Sequence, residues 1–276
     1  PGAFAACVAA GLSVYIMTKF GLPVSTTQAI VGAIVGWNIY TGSSINIKIL
    51  FTILSTWVLC PVIAALIAML FFVLTKQILR KSNWHLLRLD AYTRTALLLA
   101  GAFGAYSLGA NNIANVMGVF VPISPFTDIH LMNVFTFSSK EQLFLLGGIA
   151  IAVGVFTYSK KVMFTVGNDL LKLSPPAAFI VVIAHSIVLF LFASQGISDF
   201  LHSINLPSIP LVPVSSSQAV VGAVIGIGIL KRGKEVQWDI AGKIAIGWFL
   251  LPVIAALISF VVLFVLQNIF NQTVYF

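Results

Sequence analysis

Pro23-Val-Ser-Thr-Thr-Gln-Ala-Ile-Val-Gly-Ala-Ile-Val-Gly36 and Pro213-Val-Ser-Ser-Ser-Gln-Ala-Val-Val-Gly-Ala-Val-Ile-Gly226 are one passage written twice, 190 residues apart. Trp57 and Pro61-Val-Ile-Ala-Ala-Leu-Ile67 follow the first copy, and Trp248 and Pro252-Val-Ile-Ala-Ala-Leu-Ile258 follow the second, at an offset of 191. Order, spacing and wording agree at both landmarks, which duplication explains and chance does not. The surroundings of both copies are apolar: of 276 residues 59% are hydrophobic and only 8% charged, about a third of the share a soluble domain uses. That composition excludes a water-soluble globule. The apolar residues form continuous runs rather than alternating, so they predict membrane-crossing helices and not a membrane barrel. The two cysteines, Cys7 and Cys60, both lie inside such runs and support neither a disulfide framework nor a Cys-based metal site.

Reading the runs between polar breaks gives eight crossings, roughly residues 1–18, 24–40, 49–75, 95–120, 142–158, 173–194, 213–230 and 244–268. With the loops alternating sides, 13 of the 15 basic residues fall on one side: Lys19; Lys76, Arg80, Lys81, Arg88 and Arg94; Lys160, Lys161 and Lys172; Lys231, Arg232, Lys234 and Lys243. Only Lys48 and Lys140 fall on the other. The positive-inside rule makes the first side cytoplasmic and accounts for the net charge of +8 without a nucleic-acid partner. The first copy of the repeat is then span two and the second span seven, so the copies cross in opposite senses, as in many secondary transporters. The same loop assignment holds if the copies sit in re-entrant hairpins with polar tips midway through the bilayer, Lys19 alone moving. The expected fold is an all-α, polytopic helical bundle with inverted-topology repeats, broken helices and possible re-entrant hairpins. Its expected parts are residues 1–80, the remainder of an N-terminal repeat whose start precedes Pro1; a cytoplasmic basic linker, 81–94; and a C-terminal inverted repeat, 95–276.

The polar breaks carry the chemistry. In Ser25-Thr26-Thr27-Gln28 and Ser215-Ser216-Ser217-Gln218 a hydroxyl stands three residues before a Gln at the head of a helix-compatible run, the pattern of a capping box. The first turn of such a helix offers free backbone N–H groups and the positive end of its dipole to an anion, and the hydroxyls add donors. Brought in from opposite sides, the two termini converge on one site near the midplane. The other break, Leu108-Gly-Ala-Asn-Asn-Ile-Ala-Asn-Val116, puts Asn111, Asn112 and Asn115 inside an apolar span, and unwinding of the helix is expected there. Unwound carbonyls and Asn oxygens suit Na⁺, and Asn N–H₂ groups suit an oxyanion. No Asp or Glu lies within any span, so no buried carboxylate relay is visible. His185 is the one ionisable group deep in a span, and with no partner in sight it reads as a neutral packing residue. Val166-Gly-Asn-Asp-Leu170 reads as an interfacial turn. No phosphate-cradling ATPase loop and no recurring set of nucleophile, base and orienting group occurs, so neither ATP-driven transport nor an enzyme is expected.

Gly109-Ala-Asn-Asn-Ile-Ala-Asn115 resembles the G-A-N-D-x-A-N motif of the inorganic phosphate transporter (PiT) family, and the passages around Ser25 and Ser215 resemble that family's hydroxyl-rich hairpin motifs. The likeness runs from about Gly21 to Leu266. It implies a multi-pass permease of the plasma membrane, commonly a homodimer in the lipid bilayer, that imports inorganic phosphate with Na⁺ or H⁺. Carried over by resemblance, Ser25, Thr26, Thr27, Gln28, Asn112, Ser215, Ser216, Ser217 and Gln218 bind substrate, and Asn111, Asn112 and Asn115 hold Na⁺. Two departures stand out. The family has a G-A-N-D-type segment in each half, and stepping back from Thr26 by the 104 residues that separate Asn112 from Ser216 places the first one before Pro1. Asn112 also stands where phosphate members usually have Asp. The alternatives are a sulfate permease of the same superfamily and a passive anion channel or receptor on the same fold.

Overall fold

The computed structural model describes residues 1–81, 85–131, 135–233 and 235–274. Its helices are α1 (Gly2–Lys19), α2 (Thr26–Thr41), α3 (Ile47–Lys81), α4 (Leu86–Met117), α5 (Ser139–Tyr158), α6 (Lys160–Phe164), α7 (Pro175–Ala193), α8 (Gln195–Ser203), α9 (Ser216–Leu230) and α10 (Trp238–Asn268). A 3₁₀ stretch, Gly118–Ile123, continues α4, and a short antiparallel pair, β1 (Ile129–Leu131) and β2 (Phe135–Phe137), follows it with Ile129 opposite Phe137. Helix starts follow local chemistry: Ser25, Ser138 and Ser215 each accept a bond from the backbone N–H three residues on, and at Ser138 the Glu141 carboxylate completes the reciprocal box. Gly42, at φ 69°, closes α2 in the left-handed conformation that glycine adopts without penalty.

All eight expected apolar runs are helices. Five of them, α1, α3, α5, α7 and α10, are long and apolar enough to cross a membrane unaided. By contrast α2 and α9, with 16 and 15 residues, reach only about 24 and 22 Å, short of a hydrocarbon core of about 30 Å. They are short because each begins at its polar break. Side chains such as Phe156 (90% exposed) and Phe249 (80%) point away from the protein, as lipid-facing residues do.

The two copies interlock. α2 packs on α10, and α9 packs on α3. A Cβ on Gly32 or Gly36 would collide with the backbone of Pro252 or Ala256, and one on Gly222 or Gly226 with that of Pro61 or Ala65. These contacts are equivalent under the repeat, residue by residue, and in each pair the numbers rise together, so the packed helices run parallel. Small residues let the backbones approach closely, which in lipid supplies the packing that hydrophobic burial cannot. The basic segments also neighbour one another. Lys161 Nζ donates to the Lys19 carbonyl at 3.1 Å, the Gln237 N–H donates to the Leu170 carbonyl at 3.0 Å, and Lys76 and Arg80 share a cavity wall with Ser174 and Pro176.

Three expectations need correction. Residues 108–116 do not unwind: α4 is helical through Met117, because the Asn side chains find protein partners and the backbone need not open to satisfy them. Residues 86–94 of the expected linker already form the first turns of α4, steadied by an exposed Arg94–Asp90 pair at 2.9 Å, while Lys234 and residues 82–84 lie outside the described residues. Val166–Leu170 is not a loop between helices: Thr165–Asp169 continues α6 as a π-helix, with Leu170 buried beyond it.

Candidate functional site

The N-terminus of α2 meets that of α9, and α4 holds them together. Asn111 grips Val214, the residue before the α9 cap, at both backbone groups: its Nδ2 donates to the Val214 carbonyl at 2.9 Å and its Oδ1 accepts from the Val214 N–H at 3.1 Å. One helical turn later, Asn115 Nδ2 donates to Thr27 Oγ1 at 2.8 Å, and Thr27 Oγ1 donates in turn to the same Val214 carbonyl at 3.1 Å. Asn111, Asn115 and Thr27 are all buried, so every link is made away from solvent. The spacing explains why α4 can do this. Residues four apart on a helix share a face, so Asn111 and Asn115 point the same way, each toward one copy. Asn112 projects beside them and is tied in by its Oδ1, which accepts from Asn111 Nδ2 at 3.2 Å.

The expected site residues thus come together but divide their work. Ser25 and Ser215 are buried caps that accept from the N–H of Gln28 at 3.2 Å and of Gln218 at 3.3 Å. Only that half of each capping box forms: the Gln28 and Gln218 side chains do not reach back, and their buried Oε1 atoms have no donor. Thr27 is engaged by the network, and Ser217 Oγ lies 3.2 Å from Ser215 Oγ. Thr26, Ser216 and Ser217 border open space, in cavities described next. The N–H groups of Thr26, Thr27, Ser216 and Ser217 lie in the first turns of their helices, where no acceptor exists within the helix. The two uncharged donor clusters are joined through Thr27 and Val214, and the dipoles of both helices have the sign that attracts an anion.

Each cluster opens on its own cavity. One, of about 210 Å³, lies between α1, α2 and α4; the other, of about 460 Å³, between α7, α9, α4 and the α6 segment. Their walls correspond. Thr26 and Ile30 line the first where Ser216 and Val220 line the second, at the repeat offset of 190. Cys7, Ala10, Gly11 and Val14 of α1 line the first where Ala178, Val181, Val182 and His185 of α7 line the second, at a constant offset of 171. The repeat therefore includes α1 and α7, whose sequences share almost no identities and so gave no signal. His185, read from sequence as a packing residue, is a wall residue of the second cavity, 9% exposed, with Nε2 buried and unpartnered. Its lone occurrence in an apolar span was the only hint. Among the described residues no group of three His, Cys, Asp or Glu could hold a metal, so a cation here would rest on amide, hydroxyl and carbonyl oxygens.

The phosphate transporter family matches residues 1–198 and 205–275 of the chain. A protein of Methanocaldococcus jannaschii described as a phosphate permease is 26% identical over 260 residues, covering 94% of this chain and 74% of the relative. One of Thermococcus kodakarensis with the same description is 28% identical over 327 residues, covering 94% and 76%. A solved structure titled as the sodium-dependent phosphate transporter superposes with a TM-score of 0.73 at 24% identity, covering 97% of this chain and 80% of that one, which makes the fold common to both. Helices apolar enough to span a bilayer, relatives that are permeases rather than enzymes, and a match over nearly the whole chain agree: this integral, multi-pass membrane protein belongs to the phosphate transporter family.

Proposed function

We propose that the chain works as a secondary transporter that brings inorganic phosphate across the plasma membrane together with a cation, holding the anion between the N-termini of α2 and α9. The observation that carries this reading is the joining of the two hydroxyl-bearing helix starts by Asn111 and Asn115 of one helix. Thr26, on the first cavity, and Ser216 and Ser217, on the second, then supply hydroxyls from the two sides of the junction and the first-turn N–H groups complete the shell, with Asn112 and the amides of Gln28 and Gln218 beside them. Asn111 positions Val214, while the oxygens of Asn112 and Asn115 are the acceptors left for Na⁺. The parallel pairing of α2 with α10 and of α9 with α3 supports opposite senses of crossing for the two copies, since each is joined to its own next long helix by a short loop. Such an arrangement lets one site be reached from either side in turn.

Energetics favour coupling over passive flow. Moving a dianion inward against about 100 mV, inside negative, costs roughly 4.6 kcal/mol, which co-transported cations offset. The test is uptake of radiolabelled phosphate by proteoliposomes carrying the purified chain, under an inward Na⁺ gradient, an inward proton gradient, or neither. Accumulation above the external concentration under one gradient is the expected result. Equilibration without accumulation under every condition would mean passive flux and overturn the coupling, with counterflow exchange separating a carrier from a channel, and absence of phosphate flux would refute the reading.

A further inference from the structure

We propose that His185 is a specificity-determining contact of the second cavity, its imidazole accepting the P–OH hydrogen of a protonated oxyanion and so favouring phosphate over fully deprotonated oxyanions of the same shape. The inference rests on the transport reading above and deepens it. Three observations carry it. His185 lines the same cavity as Ser216 and Ser217, which places an imidazole on the wall that the α9 donor cluster faces. Its Nε2 is buried and has no hydrogen-bond partner among the described residues, and a buried polar atom left unpaired is disfavoured unless a ligand or water supplies the missing partner. The equivalent wall position in the first cavity is Val14, so the duplicated scaffold packs without an imidazole there and the histidine is an addition made on one side only.

The chemistry follows from what the other groups do not discriminate. Helix N–H groups only donate, and hydroxyls and amides can turn to donate or accept, so none of them tells one tetrahedral oxyanion from another. Phosphate near neutral pH keeps at least one P–OH, whereas sulfate keeps none. Recognising that hydrogen takes an acceptor. Among the described residues no Asp, Glu, Lys or Arg lines the cavity, and the α4 residue on its wall is Leu108. A neutral imidazole carries its proton on one ring nitrogen and a free lone pair on the other, so His185 can bring such an acceptor to this wall. Against sulfate the same lone pair faces an oxygen, and the contact becomes repulsive.

The experiment uses the full chain in proteoliposomes and reads phosphate uptake with sulfate and arsenate as competitors, for the wild type, His185→Gln and His185→Val. Gln carries an amide oxygen to about the reach of Nε2, and Val is the residue that the first copy accommodates. The wild type is expected to resist sulfate and to be inhibited by arsenate, which also keeps a protonated oxygen. In His185→Val the KM for phosphate should rise about tenfold, with the preference over sulfate shrinking by a similar factor, the loss of one hydrogen bond. His185→Gln should retain most of the preference. An unchanged phosphate-to-sulfate preference in His185→Val, or equal loss in both variants, would overturn the inference and leave His185 a packing residue. The transport reading fails separately, if the wild type itself moves no phosphate. Thermal stabilisation of the detergent-purified variants by inorganic phosphate and by sulfate gives the same ratio without turnover, and shows that each variant is folded.

Discussion

The first copy, α1 to α3, and the second, α7 with α9 and α10, share their skeleton and differ where they meet the site. Both have the Ser cap, the glycine pair against a partner backbone, and a proline inside the long helix, at Pro61 and Pro252. The polar details are unequal. Trp248 Nε1 donates to the Pro23 carbonyl at 3.1 Å, whereas its counterpart Trp57 has a buried Nε1 with no partner among the described residues. Thr27 reaches across to Val214, but its counterpart Ser217 stays beside Ser215. Val14 faces one cavity and His185 the other. Symmetry thus governs packing, where identical small residues must fit identical backbones. It relaxes among the groups that bond across the junction or border the cavities.

The comparison can be broken most severely at the glycines. Gly32→Leu and Gly222→Leu should each prevent a monodisperse, folded protein by fluorescence-detected size exclusion, since overpacking against fixed backbone costs about 3 kcal/mol or more and the two contacts are equivalent. Gly11→Ala, where nothing lies within 4 Å of the added carbon, should leave the elution profile unchanged. A large difference between the Gly32 and Gly222 variants would mean that the copies do not share a packing scheme. Next comes the α4 clamp. Asn111→Ala leaves the buried Val214 N–H unpaired and should lower stability by about 1–3 kcal/mol, read as a fall in melting temperature with loss of phosphate uptake. The smallest effect sharpens the asymmetry. Trp248→Phe removes a bond to Pro23 and should cost about 1 kcal/mol, while Trp57→Phe removes an unpaired donor and should be neutral or slightly stabilising. Equal destabilisation by both would show that the two tryptophans have equivalent partners after all.

What was legible in the sequence follows from the same division. Continuous apolar runs and the duplicated Pro-Val-Ser passages located all eight long or short apolar helices and the two caps, because those features depend on local periodicity and on a few side chains. The Asn-rich break misled on backbone shape. Propensity disfavours three Asn in a helix, but tertiary bonds from Asn111 and Asn115 to the two copies outweigh a local preference of about half a kcal/mol per residue. The match of α1 with α7 was invisible, since the helices conserve which faces are buried rather than which residues fill them: Ala6, Ala9, Ser13 and Met17 are buried where Ala177, Ile180, Ala184 and Val188 are. The place of His185 on a cavity wall was out of reach for a related reason. A single polar residue in a span has no periodic or motif context, and only the fold brings Ser216 and Ser217 to the same cavity.

The central claim is that two helix N-termini from the two copies make one anion site. Equilibrium binding of radiolabelled phosphate to the purified chain tests it most directly, with the hydroxyls removed from one terminus at a time: Thr26→Val on α2, or Ser216→Ala with Ser217→Ala on α9. The account predicts a single saturable site in the wild type that is lost or weakened at least tenfold by either change alone, since donors on both sides hold the same ion. Binding that survives intact when one terminus is altered, or a wild type that binds two phosphates independently, would contradict it.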